Sequence, residues 1–168
     1  MEAGEITADT AESLIRGEAA DFAAALEAFG LRMQPSDAME FVDQVEGELS
    51  KLEPYEPPVG HTFTPGLYAR TCSPQRGALF TSKIHKKEHQ FVLHTGVISI
   101  WTREQGMVTL QAPAHGITTA GTRRIVFAHT DTVFTTFHPT ELTDLSAIED
   151  ELIMKHDNPL LKSQEVLP

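Results

Sequence analysis

Between Leu67 and Phe137 the chain never runs more than about eight residues without a turn residue, and the residues between turns are mostly Thr, Val, Ile and Phe. Runs this short exclude helices of ordinary length and predict strands at 67–72, 78–85, 89–95, 97–103, 107–112, 123–129 and 132–137. The turns between them are Ser73-Pro74-Gln75-Arg76-Gly77, Gly96, Glu104-Gln105-Gly106 and Ala120-Gly121. Seven short strands at hairpin spacing imply an antiparallel sandwich or barrel over residues 57–140.

The flanks read differently. Residues 6–29 carry Leu14, Ile15, Phe22, Leu26 and Phe29, with Thr7 or Thr10 placed to cap a helix, Gly17 weakening it and Gly30 ending it. Pro35-Ser36 opens a second helix to Leu52, with Met39, Val42, Val45, Leu49 and Leu52 spaced by three and four. Residues 53–60 hold three prolines and read as a linker. After Pro139, Thr140 or Thr143 is placed to cap a closing helix with Leu145, Ile148 and Leu152 on one face. Asp144 lies favourably near its N-terminus, and Asn158-Pro159 ends it before a tail. The expected organisation is an acidic helical arm (1–56), a β-barrel (57–140) and a C-terminal helix with a flexible tail (141–168), residues 61–155 folding without the arm.

Charge separates these parts. The formal net charge is −11, and residues 1–56 alone hold 14 acidic residues against Arg16, Arg32 and Lys51. Residues 61–138 hold only Glu88, Glu104 and Asp131 against eight bases. The arm is therefore expected to dock on a basic surface, its own or a neighbour's, in a homo-oligomer or with another protein. An acidic arm on a mildly basic body argues against nucleic acid. No apolar run is long enough to cross a bilayer, the N-terminus does not resemble a signal peptide, and the single cysteine, Cys72, excludes an internal disulfide.

The most chemically loaded stretch is Gly77–Gly96, GALFTSKIHKKEHQFVLHTG. A hairpin closing on Lys86-Lys87-Glu88 sets His85 opposite His89, Lys83 opposite Phe91 and Thr81 opposite Leu93, all on one face. Two facing imidazoles suit Zn, Ni, Fe or Mn if a third ligand arrives. His129 and His138 are the candidates, with Glu88 and Asp131 in reserve. The competing expectation is a pair of rim histidines making ordinary hydrogen bonds.

The order Gly77, His85, His89, Gly96 and a Gly121 turn resembles the two motifs of the cupin family, which are small jelly-roll barrels. Aligned with the first motif, Gly96 takes the glycine, His89 the glutamate, His85 the second histidine and Lys83 the first; in the second motif Arg124 takes the histidine. The resemblance therefore implies the fold and a broken metal site. The expectation is that no transition metal is tightly held and no cofactor is needed, with a divalent metal as the alternative. The runs HTFTPGLYAR, KIHKKEH, APAHGITTAGTRR, AHTDTVFTTFHPT and ELTDLSAIEDEL resemble uncharacterised cupin-like proteins of tailed bacteriophages and prophages. That group has no established activity to carry over; together with the broken metal site and the charge-segregated arm, the resemblance supports the expectation of a non-enzymatic, oligomeric, virion-associated or assembly protein of the host cytoplasm or virion. If the barrel closes as in cupins, Lys83, Arg124, Arg123 and Arg70 make a positive mouth for a phosphate, nucleotide or carboxylate, with countering a host defence as the role that would follow. The alternative is that the arginines pair with the acidic arm. A metal-dependent cupin enzyme is the third expectation.

Overall fold

The computed structural model describes residues 22–31, 38–103 and 105–158. The first two thirds of the first predicted helix and the expected tail lie outside them. The described elements are α1 (Phe22–Ala28), α2 (Ala38–Leu49), β1 (Val59–Thr64), β2 (Leu67–Cys72), β3 (Leu79–Thr81), β4 (Ile84–His85), β5 (His89–Thr95) and β6 (Val97–Thr102). They continue with β7 (Gly106–Gln111), β8 (Ala114–Thr118), β9 (Ile125–Ala128), β10 (Val133–Pro139), α3 (Leu145–Leu152) and β11 (Ile153–Met154).

The strands form a five-stranded sheet in the order β1-β2-β10-β5-β8, a four-stranded sheet β3-β9-β6-β7 and a two-stranded clip β11-β4. Every pairing is antiparallel. Without β1, β4 and β11, eight strands remain, and in chain order the two sheets run first-eighth-third-sixth and second-seventh-fourth-fifth. That double Greek key is the order of a jelly roll. The fold is mainly β, as expected, but the barrel does not close: the two large sheets share no ladder. β1 covers the edge of β2, and Pro113, which has no N–H to donate, separates β7 from β8.

Two strands lie where a linker and a connection were expected, β1 and β8. The run 78–85 divides. Ser82 and Arg124 exchange two hydrogen bonds, Ser82 N to Arg124 O at 2.9 Å and Arg124 N to Ser82 Oγ at 3.0 Å, after which the chain turns away. The expected hairpin ladder is therefore absent. β4 pairs with β11, Thr81 pairs with Ile125, and Leu93 pairs with Phe134 and Ala114.

Three layers result. Leu93, Ile98 and Val126 fill the space between the large sheets with Phe80, Ile100, Leu110 and Phe134. The other face of the four-stranded sheet carries Leu79, Trp101, Ile125 and Phe127, and onto it pack Phe22, Leu26, Phe29, Phe41, Val42 and Val45 of the helical segment. Phe41 meets Trp101 edge-on at 4.9 Å between centroids, and Phe22 lies 6.2 Å from Phe127. β9 is covered on both faces, which is why all four of its residues are buried and its sequence, IVFA, does not alternate. The described helices and the β-body thus share one core, and the described part of the arm's apolar stripe is covered by this chain's own sheet.

Adjacent residues of a strand face opposite ways, and the pair before β9 shows the consequence. Arg123 turns toward the helices. Its guanidinium pairs with Asp43 and, at 2.7 Å, with Glu46, and its side chain is 6% exposed. His156 Nε2 lies 2.9 Å from Asp43 Oδ1, and Asn158 Nδ2 donates to Asp43 O at 3.0 Å and Glu46 Oε2 at 2.8 Å. Arg123 is therefore committed to the acidic helix rather than to an external anion. Arg124 turns the other way, into the space between the sheets.

The closing helix starts at Asp144, not at Thr140 or Thr143: Asp144 accepts from Ala147 N at 2.9 Å. Thr140 donates instead to Glu151 Oε2 at 2.6 Å. Ile148 and Leu152 pack on Tyr68 with Ile153, while Leu145 stays exposed. No helix among the described residues is long and apolar enough to cross a membrane.

Candidate metal centre

The inner face of the five-stranded sheet reads as three rungs. The end rung is Tyr68, His138, His89 and Thr118: Tyr68 pairs with His138 across β2 and β10, His89 with Thr118 across β5 and β8, and His138 follows the Phe137–Gln90 pair. The next rung is Arg70, Thr136, Phe91 and Gly116, and the third is Cys72, Phe134, Leu93 and Ala114. Polarity thus falls from the mouth inward, ending in the apolar core.

His85 joins the end rung from β4. The three-residue turn Lys86-Lys87-Glu88 returns the chain to β5, so the rings of His85 and His89 lie 4.2 Å apart although their strands do not pair. His138 lies 4.5 Å from His89 and 5.2 Å from His85, centroid to centroid. One nitrogen from each ring falls within 4.8 Å of the other two. His89 and His138 are buried and His85 half-buried. His138 Nε2 lies 3.0 Å from Thr136 Oγ1, and its ring stacks at 5.8 Å on Tyr68, whose hydroxyl lies 2.7 Å from His61 Nδ1.

All three imidazoles are held in the neutral form. Burial pushes His85 down to about 4, and His89, Arg124 and Arg70 add to the effect. Burial pushes His138 down to about 3, helped by His89, His85 and Arg70. His89 is lowered by burial first and by Arg124. In the metal-free protein this links stability to pH. The unfolded chain takes up protons below about pH 6.5 and the folded chain does not, so stability is complete above that value and falls as pH drops toward 4. At pH 5 the buried His138 alone is expected to cost about 2 kcal/mol, which is 1.5 pH units at 1.36 kcal/mol each. Urea unfolding of chelator-treated protein at pH 7 and pH 5 measures it, and equal midpoints would show the rings to be solvated.

A metal fits these residues. Neutral imidazole is the ligand form. His89 Nδ1 is a buried nitrogen with no hydrogen-bond partner among the described residues, and such an atom calls for a ligand. Zn–N bonds of 2.0–2.1 Å place ligand nitrogens roughly 3.4 Å apart, a small ring rotation from the observed grouping.

The other expected residues are distributed as follows. Arg124 and Arg70 lie by the trio, as their influence on its imidazoles shows. Lys83 is exposed and pairs with Glu149 of α3, outside the sandwich. His129 lies on the helix-facing side of the four-stranded sheet, its Nε2 2.7 Å from Ser99 Oγ and its ring edge-on to Phe127 at 4.9 Å, so it is separated from the trio by a sheet. Asp131 Oδ1 accepts from Arg76 N at 2.9 Å, and Glu88 is exposed. Tyr68 and Thr118 complete the site without having been singled out: one is brought in by a pairing across some seventy residues of sequence, the other by the unexpected β8.

Among solved structures the chain is similar to a cupin-2 domain protein from Shewanella frigidimarina (16% identity, 57% of this chain and 92% of that one, TM-score 0.42). It is also similar to a putative ethanolamine utilization protein Q from Salmonella typhimurium (13% identity, 54% and 74%, TM-score 0.46). A third is an RmlC-like cupin with a double-stranded β-helix fold from Methanocaldococcus jannaschii (7% identity, 53% and 84%, TM-score 0.43). Two of the three are described as cupins, and none of the three names a phage. No family model matches the chain, and no curated protein matches it.

Proposed function

We propose that this protein binds one divalent transition metal through His85, His89 and His138. The observation that carries the reading is the convergence of three neutral imidazoles, one with an unpartnered buried nitrogen. The expectation of no tightly held metal rested on cations at two ligand positions, and one of them, Lys83, stands outside the site. A bound metal would supply Lewis acidity at positions left open by three protein ligands. The chain's own part is to hold the rings: β10 and β5 fix His138 and His89 on one rung, Thr136 and Tyr68 orient His138, and β11 holds the strand of His85. Among the described residues no carboxylate belongs to the cluster, and the reading is one of metal binding.

Titration of chelator-treated protein with zinc is expected to give one site per chain, weakened at least about 100-fold by His138→Ala, since even indirect supports of a ligand are worth 10- to 100-fold. The far-ultraviolet spectrum should stay native in that variant. Failure of the wild-type protein to take up zinc, nickel, cobalt or manganese would sink the reading. The oligomeric virion role implied by the phage-like phrases is a separate proposal, supported by those phrases alone and tested by mass spectrometry of purified virions.

A further inference from the structure

Two guanidiniums border the trio, and neither has a carboxylate partner among the described residues. Arg124 enters from the four-stranded sheet, donates through Nη2 to Thr118 Oγ1, and lies 5.6 Å above the ring of Phe91. That ring has room because position 116 is glycine: a Cβ there would come within 2.8 Å of it. Arg70 enters from the five-stranded sheet, one rung inside Tyr68 and His138. Its guanidinium lies near enough to the Cys72 thiol to favour the thiolate, but burial, the larger effect, pushes that thiol up. Other cations of the chain are paired: Lys83 has Glu149, Lys87 has Glu151, and Arg123 has Asp43 and Glu46, while Lys86 Nζ donates to Asp150 O at 2.7 Å.

Partly buried charges without partners are costly. A divalent metal on the trio would raise the local charge further, with no acidic side chain in the cluster to offset it. Among the described residues nothing in the cluster supplies the compensating charge.

We propose that Arg70 and Arg124 form a clamp for a small oxyanion, of the carboxylate or phosphate class, held beside the three-histidine centre. The clamp rests on the metal reading for its full form. The guanidinium fork matches two oxygens of either class, Thr118 adds a hydroxyl beside Arg124, and Phe91 supplies an apolar wall. Metal and anion then bind with positive coupling, each offsetting the charge that opposes the other.

Cobalt(II)-loaded protein titrated with acetate, and separately with inorganic phosphate, tests the clamp through the cobalt visible spectrum. At least one anion is expected to change the spectrum saturably and to bind at least tenfold more weakly to Arg124→Gln and to Arg70→Gln. Cobalt itself should bind those variants as tightly as wild type or more so, because a repelling cation has gone. If Arg124→Gln does not fold, Arg124→Lys keeps the charge and loses the fork, and should still weaken the anion. Equal anion affinity in wild type and in both arginine variants overturns the clamp, as does a spectrum that neither anion changes. Absence of cobalt uptake overturns the metal reading instead. In that case, thermal stabilisation of the metal-free protein by the same anions, lost in Arg124→Gln, would still support the clamp.

Discussion

A chain shortened to begin at Pro57 is expected to lose its cooperative thermal transition and to bind a hydrophobic dye. Removing the helices uncovers Leu79, Trp101, Ile125 and Phe127, which are buried against Phe22, Leu26, Phe41, Val42 and Val45. Each large apolar side chain contributes about 1.5–3 kcal/mol on burial. The whole stability of a domain this size is about 5–15 kcal/mol, so losing five such contributors on one side and exposing four on the other exceeds it. Calorimetry of the shortened chain beside the full one decides the matter. A sharp transition within a few degrees of the full chain's would mean that the sheet face is stable uncovered and that the helices are an appendage.

The second large effect is expected at Arg123. Arg123→Ala leaves Asp43 buried with no cation of fixed charge and Glu46 without its closest one. Removing one partner of a buried ion pair costs about 3–5 kcal/mol. Replacing Arg123 and Asp43 together by Met and Leu should cost less, because the buried carboxylate of Asp43 is then gone and only the part-exposed Glu46 loses its cation. Urea midpoints of the two proteins make the comparison, and a single-variant loss below about 1 kcal/mol would show that water reaches the cluster.

The β-body was largely legible in the sequence because its signal is local. Turn residues cut the chain at nearly the right places: the expected strands at 67–72 and 89–95 coincide with β2 and β5, and those around Val97, Met107, Ile125 and Val133 are off by one or two residues. β1 was hidden by the prolines before it, and β8 by Pro113 and Gly116, residues that argue for a loop when read alone. The site was legible in part. The spacing of His85 and His89 around a short turn brings the rings together even though the ladder it suggested does not form. His138 needed the β10 pairing, which no local pattern contains. His129 was indistinguishable from His138 by type, and the two are separated by which side of a sheet each faces. The same holds for Arg123 and Arg124, neighbours in sequence whose surroundings differ by a change of side. An inward Lys83 requires an unbroken strand 78–85, and that strand divides into β3 and β4.

The clip between β4 and β11 gives the trio an uneven ancestry. His89 and His138 sit on strands embedded in a five-stranded sheet, whereas His85 sits on a two-residue strand held by Ile153 and Met154, by the bonds from Lys86 N to Leu152 O and from Gly121 N to His85 O, both at 2.8 Å, and by the exposed pairs of Lys83 and Lys87 with α3. Sheet strands open only with the whole fold, while a two-residue pairing can open by itself. One claw of the histidine grip is therefore hinged and two are fixed. Capture and release of whatever the grip holds would be governed by the C-terminal segment, and a protease cut between Thr140 and Leu145 would loosen the hinged claw while leaving the fixed pair in place.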